Sequence, residues 1–259
     1  MLVTVLDDAS EMAAVAADRV EAVCATTDHP VLGLATGSSP LALYAELVGR
    51  HRAGRISFAR ATSFNLDEYV GLPAGHPQSY IQFIRRNFTD LVDLPAEAVH
   101  VPDGNAPDTH AAALAYDHAI RDAGGIDIQV LGIGSDGHVG FNEPGGSLAS
   151  RTHVGVLTSQ TRHDNARFFD GDLDQVPTRC ITQGLGTIME SRHAVLLATG
   201  EQKARAVREL VEGPVSARWP ATVLQFHPDL LVVLDRSAAQ LLELADFYAE
   251  VSTAGSIAR

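Results

Sequence analysis

Short runs of Val, Ile and Leu alternate with longer amphipathic stretches along almost the whole chain, and few folds accommodate that rhythm. Residues 2–6, 31–35, 61–64, 126–133, 194–199 and 230–234 predict strands. Several are apolar nearly throughout, as strands buried on both faces of a parallel sheet are. Between them the spacing predicts helices. One is opened by Asp8, with Glu11 three residues on in a capping-box pattern, and continues to residue 23. Others cover residues 40–48, 79–88, 107–122, 202–211 and 237–251. Strand–helix alternation on this scale implies an α/β chain: a three-layer αβα sandwich, Rossmann-like, with a mostly parallel central sheet. One stretch breaks the rhythm. Residues 145–184 are rich in Gly, Ser, Thr, Asp and Arg and show little periodicity, as a lid or binding loop would. The expectation is one domain over residues 1–259 with a mobile lid at about 145–184.

Composition narrows the functions open to such a fold. Of the 259 residues 46% are hydrophobic and 20% charged, which describes a soluble globular protein and excludes a disordered one. The 19 Lys and Arg against 32 Asp and Glu leave a net charge of −13 with no basic block. That balance argues against nucleic-acid and anionic-membrane partners, and an anionic small substrate would need a locally positive pocket. No apolar run approaches a membrane span, and the opening MLVTVLDDASEM has neither the basic region nor the cleavage site of a signal peptide. Cys24 and Cys180, far apart in sequence, fit no metal spacing and suit a reducing cytoplasm.

Four segments can carry chemistry. In the first, the strand at 31–35 runs into Thr36, Gly37, Ser38 and Ser39 and then a helix, with Ser39 read as N-cap and Pro40 as the first helical residue. Such a junction offers free backbone N–H groups and the positive end of a helix dipole to a phosphate, although an ordinary capped turn would read the same way. In the second, Gly132, Gly134 and Gly137 match the spacing of a dinucleotide fingerprint. The segment that follows, VGFNEPGG, cannot open the helix which that fingerprint requires. What remains is a strand end carrying Asp136, His138 and Glu143. A histidine between two carboxylates can be oriented by one and tuned by both, which is what a proton shuttle needs. A metal is not expected there, because none of the 11 histidines pairs with another at close helical or strand spacing.

The third segment, SFNLDEY, is a strand running into Asp67 and Glu68. Side chains alternate along a strand, so one of the two should face the pocket, where a carboxylate can take a proton from a carbon beside a carbonyl or imine. A solvated acidic loop is the plainer reading of that segment alone. In the fourth, ATGEQK places Lys203 in the first turn of a helix, where a cation opposes the dipole unless an anion lies between. Arg167, in NARFFD, can add a second contact or pair instead with Asp170 or Asp172. Lys203, Arg167 and the turn at residues 36–39 would together supply the positive pocket.

SFNLDEYVGLP with HPQSYIQFIRRNF, then LGIGSDGHVGFNEPGGSLASRT, RFFDGDLDQVP and ATGEQKA resemble, in this order from about residue 1 to 250, the glucosamine-6-phosphate deaminase (isomerase) family. DGHVGFNEP is the most specific part. The resemblance implies conversion of glucosamine 6-phosphate and water to fructose 6-phosphate and ammonia, in amino-sugar catabolism, by a cytoplasmic enzyme. It assigns Asp67 as the base moving a proton between carbons 2 and 1 and His138 as the group that opens the sugar ring. Asp136 and Glu143 orient and tune that histidine, and Thr36, Gly37, Ser38, Ser39, Arg167 and Lys203 take the phosphate. It implies no metal and no organic cofactor, since the substrate's own imine and enolamine spread the charge. The 6-phosphogluconolactonases share the fold and a Gly-His turn without FNEP or DEYVGLP, which leaves a sugar-phosphate lactonase as the alternative. A non-catalytic phosphosugar sensor would have no use for Asp67, His138 and Glu143. Some family members are hexamers activated by N-acetylglucosamine 6-phosphate through basic residues just after SLASRT. Here His153, Val154, Gly155 and Val156 follow, so hyperbolic kinetics are expected and a homo-oligomer stays open.

Overall fold

The protein is described from a computed structural model covering residues 1–257, with side chains through Val251. The chain runs β1 (Leu2–Leu6), α1 (Ala9–Thr26), β2 (Val31–Leu34), α2 (Leu41–Arg52), β3 (Thr62–Asn65), β4 (Asp67–Tyr69), α3 (Tyr80–Asn87), β5 (Val99–His100), α4 (Thr109–Asp122) and β6 (Ile128–Leu131). It continues with β7 (His153–Val156), α5 (Ser159–Ala166), β8 (Arg179–Thr182), α6 (Leu185–Met189), β9 (His193–Ala198), α7 (Ala204–Glu212), β10 (Leu230–Asp235), α8 (Arg236–Ala239) and α9 (Ala245–Ile257).

Seven strands form one sheet in the order β1-β10-β9-β6-β2-β3-β5, and every pairing within it is parallel. The alternation of side chains along each strand builds the layers. Leu32 and Leu34 of β2 join the main core with Met12, Ala16 and Val20 of α1 and Leu43, Tyr44 and Leu47 of α2. Val31, one residue over, packs with Phe64 of β3 and with Tyr116 and Ile120 of α4 on the other face. Leu230 through Leu234 are all buried, which matches a strand covered on both sides; each such side chain contributes roughly 1.5–3 kcal/mol. The expected helix-flanked, mostly parallel sheet is therefore the fold.

The boundaries differ in informative places. Asp8 caps α1 as read, its Oδ1 accepting the N–H of Ser10 and Glu11 at 2.8 and 2.9 Å. Ser39 does not cap α2: the helix starts at Leu41, Pro40 holds the cap position in helical backbone conformation, and no side chain accepts from the first turn. The helix expected over 237–251 is two helices, because Glu212 of α7 accepts the N–H groups of Glu243 and Leu244 (2.9 Å each) and starts α9 afresh. The segment 145–184 is not irregular throughout. It contains β7, α5 and β8, and β7 and β8 pair antiparallel with β4 as a second sheet in the order β4-β8-β7. That sheet and α5 enclose a core of their own, with Tyr69, Phe141, Leu157, Ala166, Phe169 and Cys180 buried together.

Candidate active site

From β2 the chain moves outward to β3 and β5, then returns to place β6 on the other side of β2. The strand order reverses between β2 and β6, and open α/β sheets bind ligands in the crevice beyond the carboxyl ends at such a point. A cavity of about 660 Å³ lies there. Thr36 to Ser39 after β2, Asp67 after β3, Gly132 to Ser135 and His138 after β6, and Thr199 with Lys203 after β9 contribute to its wall, and Arg167 and its neighbours close it from α5. Of the ten residues singled out in the sequence, eight line this one cavity; Asp136 and Glu143 stand behind His138.

Asp67 owes its position to a change of sheet. β3 ends at Asn65, Leu66 bridges its backbone to Leu34, and the chain enters β4 with Asp67 opposite Thr182 of β8. Asp67 is 5% exposed. Burial, and then the neighbouring Glu68, push its carboxyl up to about 8. Glu68 points the other way, as alternation requires, and accepts the N–H groups of Tyr69, Tyr80 and Ile81 at 2.8, 3.0 and 3.0 Å. It thereby supplies the acceptor that Ser79 does not provide at the start of α3. Burial raises its pKa, and those three N–H groups oppose the rise.

His138 sits on the turn after β6. Gly134 donates its N–H to the His138 carbonyl at 2.8 Å, and the imidazole lies against Gly134 so closely that a Cβ there would be 2.3 Å from His138 Cε1. Gly137 takes φ +84° in the same turn, and no helix opens there, as the rejection of a dinucleotide fingerprint required. Nδ1 of His138 lies 2.7 Å from Asp136 Oδ1 and 3.8 Å from Glu143 Oε2, which leaves Nε2 for a ligand. Partial burial disfavours the charge on Asp136, yet the imidazole and the His138 N–H outweigh it and hold that carboxyl well below the usual range. Asp136, His138 and Glu143 bring ligating atoms within 4.8 Å of one another, a grouping that could hold a metal ion. Sequence spacing gave no sign of it, since the three meet through a turn rather than along a helix or strand.

The other end of the cavity gathers a helix N-terminus and two cations. Gly37 adopts φ +94° to turn the chain out of β2, and α2 begins without a side-chain acceptor for its free N–H groups. Lys203, the only lysine in the sequence, is half-buried in the 3-10 turn Glu201–Lys203. Desolvation lowers its pKa, against the pull of Asp164 and Asp136. Arg167 stacks on Phe168, 4.7 Å from the ring centroid. Among the described residues neither cation has a carboxylate within 4 Å, and Asp172 instead accepts from Asp174 and Gln175. Sequence reading missed the aromatic wall formed by Tyr69, Tyr80, Phe141 and Phe169, and the bond from Asn165 Nδ2 to Tyr69 Oη at 2.9 Å that ties α5 to β4. These contacts join segments far apart in sequence, and no local pattern announces them.

Comparison with known proteins gives the family and the fold. A family model described as glucosamine-6-phosphate isomerases/6-phosphogluconolactonase matches residues 7–232. Glucosamine-6-phosphate deaminase of Mycolicibacterium smegmatis is 60% identical over 250 residues, covering 96% of each chain. The Streptomyces coelicolor protein of the same description is 51% identical over 248 residues, covering 96% of this chain and 95% of its own. Among solved structures, a monomeric glucosamine-6-phosphate deaminase superposes with a TM-score of 0.91 at 41% identity, over 93% of this chain and all of the other. A 6-phosphogluconolactonase from Thermotoga maritima superposes at 0.72 with 20% identity, over 90% of this chain and 99% of its own, and so shares the fold.

Proposed function

Because the chain belongs to the family of glucosamine-6-phosphate isomerases and 6-phosphogluconolactonases, we propose that it is the deaminating member, converting glucosamine 6-phosphate and water to fructose 6-phosphate and ammonia. One observation carries the reading: a buried carboxyl, a carboxylate-backed imidazole and two cations with no carboxylate partner among the described residues face a single cavity. A lactonase needs no base for a carbon-bound proton, and Asp67 has the burial and the raised pKa suited to that task.

The phosphate lies against residues 36–39, Arg167 and Lys203, where charge-assisted hydrogen bonds each contribute about 1.5–3 kcal/mol. His138 moves a proton between the ring oxygen and the hydroxyl on carbon 1, opening the pyranose to its aldehyde, with Asp136 and Glu143 holding Nδ1. Asp67 then takes the proton from carbon 2; that electron pair forms the double bond between carbons 1 and 2, the carbonyl pair moves to O1, and O1 takes a proton from the 2-ammonium to give the enolamine. Returned to carbon 1, the proton held by Asp67 leaves an iminium at carbon 2. Water adds to the iminium and ammonia departs, leaving the ketone. Charge is spread through the substrate's own nitrogen, so the steps call for neither a metal nor an organic cofactor. The 2-ammonium beside Asp67 favours its carboxylate, so the substrate itself readies the base.

Among the described residues no helix is long and apolar enough to cross a membrane, and Cys24 and Cys180 are unpaired. With a phosphosugar substrate, these features support a cytoplasmic setting. The superposing deaminase at TM-score 0.91 is described as monomeric, which supports a monomer for this chain as well. The deciding experiment is ammonia release from glucosamine 6-phosphate by the wild type and Asp67→Asn, with phosphosugar binding measured calorimetrically in both. The expected result is release by the wild type, loss of at least about a thousandfold in the variant, and binding within a few-fold. Hydrolysis of 6-phosphogluconolactone without ammonia release would favour the lactonase instead.

A further inference from the structure

Glu143, 3.8 Å from His138, is held from its other side. Its Oε1 accepts the hydroxyl of Thr161 at 2.6 Å and the backbone N–H of Thr158 at 3.3 Å. Thr158 Oγ1 accepts the Thr161 N–H and donates to Thr161 Oγ1 at 3.0 Å, so the Thr161 hydroxyl proton is free to point at Glu143. The other carboxylate oxygen, Oε2, is buried with no hydrogen-bond partner among the described residues and faces His138 Nδ1 at 3.8 Å. Thr161 is itself buried, 4% exposed, in the first turn of α5. A hydroxyl sealed from water and fixed as a donor leaves the carboxylate one orientation.

We propose that Thr161 is a positioning residue of the reaction: its hydroxyl fixes the Glu143 carboxylate so that Oε2 stays aimed at the back of His138, and the ring-opening proton transfer depends on the seating of α5. The proposal deepens the deaminase reading and rests on it. A role in holding α5 alone would affect folding or substrate affinity, whereas alignment of Glu143 affects turnover.

The test is steady-state ammonia release from glucosamine 6-phosphate by the wild type and by Thr161→Val, which keeps the shape and removes the hydroxyl. Thr161→Ala is the second variant, so that a misfit of the valine methyl is not mistaken for loss of the bond. The expected result is a fall in kcat of roughly ten- to a hundredfold in both, the range for losing a hydrogen bond to a charged group, with KM changed less than about threefold. Thr161→Ser restores most of kcat. In a Glu143→Gln background, Thr161→Val adds little, because the two act as one unit. A kcat within about twofold of wild type in both Thr161 variants, or an undiminished Thr161→Val effect in the Glu143→Gln background, overturns the proposal and leaves the deaminase reading standing. A wild-type chain that releases no ammonia overturns both.

Discussion

Asp67 is where electrostatics and stability meet. A carboxyl raised to about 8 by burial is a stronger base than a solvated one, at the cost of being protonated in the free site at neutral pH. The pH profile follows from that. kcat/KM, which reads the free protein, rises as pH climbs through about 8 and levels above it. The limb in kcat lies at lower pH, because the bound 2-ammonium pulls the proton from Asp67. Stability runs the opposite way. Between an unfolded value near 4 and the folded value of about 8, the native state holds a proton that the unfolded chain has released. The contribution of Asp67 to stability is therefore fully present below about 4 and is lost as pH rises to about 8. Asp67→Asn removes that loss, and its melting temperature at pH 8 should exceed the wild type's by a few degrees, at about 2–4 °C per kcal/mol. Calorimetric melts of both proteins at pH 5 and pH 8 check it, the gap being the wider at pH 8.

At the scale of the element, Glu68 places an acceptor where the unpaired N–H groups at the start of α3 wait. Glu68→Gln keeps the shape but turns an N–H donor toward one of the amides that Glu68 now accepts. The expected cost is about 1–3 kcal/mol, read as a lower melting temperature. Removing its charge also lowers the pKa of Asp67, so the acid limb of kcat/KM moves to lower pH. Elements of this kind were hard to read in advance. The buried parallel strands were legible because Val, Ile and Leu dominate them, and β10 is apolar from Leu230 to Leu234. β4 is three residues, two of them acidic, and was read as a strand's end; its burial comes from β8, more than a hundred residues on. β7 contains Gly155, which a propensity argument counts against a strand, yet a Cβ there would lie 3.2 Å from Cys180 Sγ. In the cavity, Asp67, His138, Lys203 and the turn at residues 36–39 were legible because each follows closely on the end of a strand that the apolar runs mark. The link from Thr161 to Glu143 was not, because it forms only when α5 docks.

For the molecule as a whole, the cavity opens where β2, β3, β6 and β9 of one sheet end, and residues on and just after one helix, α5, of the smaller sheet's unit form its other side. Saturation should accordingly be hyperbolic, and unchanged by N-acetylglucosamine 6-phosphate. The segment after Arg151 is β7, which carries no Arg or Lys, and Arg151 itself is engaged by Asp117 at 2.8 Å and Glu190 at 2.6 Å. Initial rates across a wide substrate range, with and without the N-acetylated sugar phosphate, check this; a sigmoidal curve sharpened by it would refute the expectation. The solitary lysine has a practical corollary. Amine-directed dyes, cross-linkers and coupling resins meet a single ε-amino group in this sequence, and it lies in the wall of the cavity. Labelling at Lys203 should silence the catalyst one molecule at a time, in step with the dye incorporated there. Saturating phosphosugar should shield that position and confine the tag to the amino terminus.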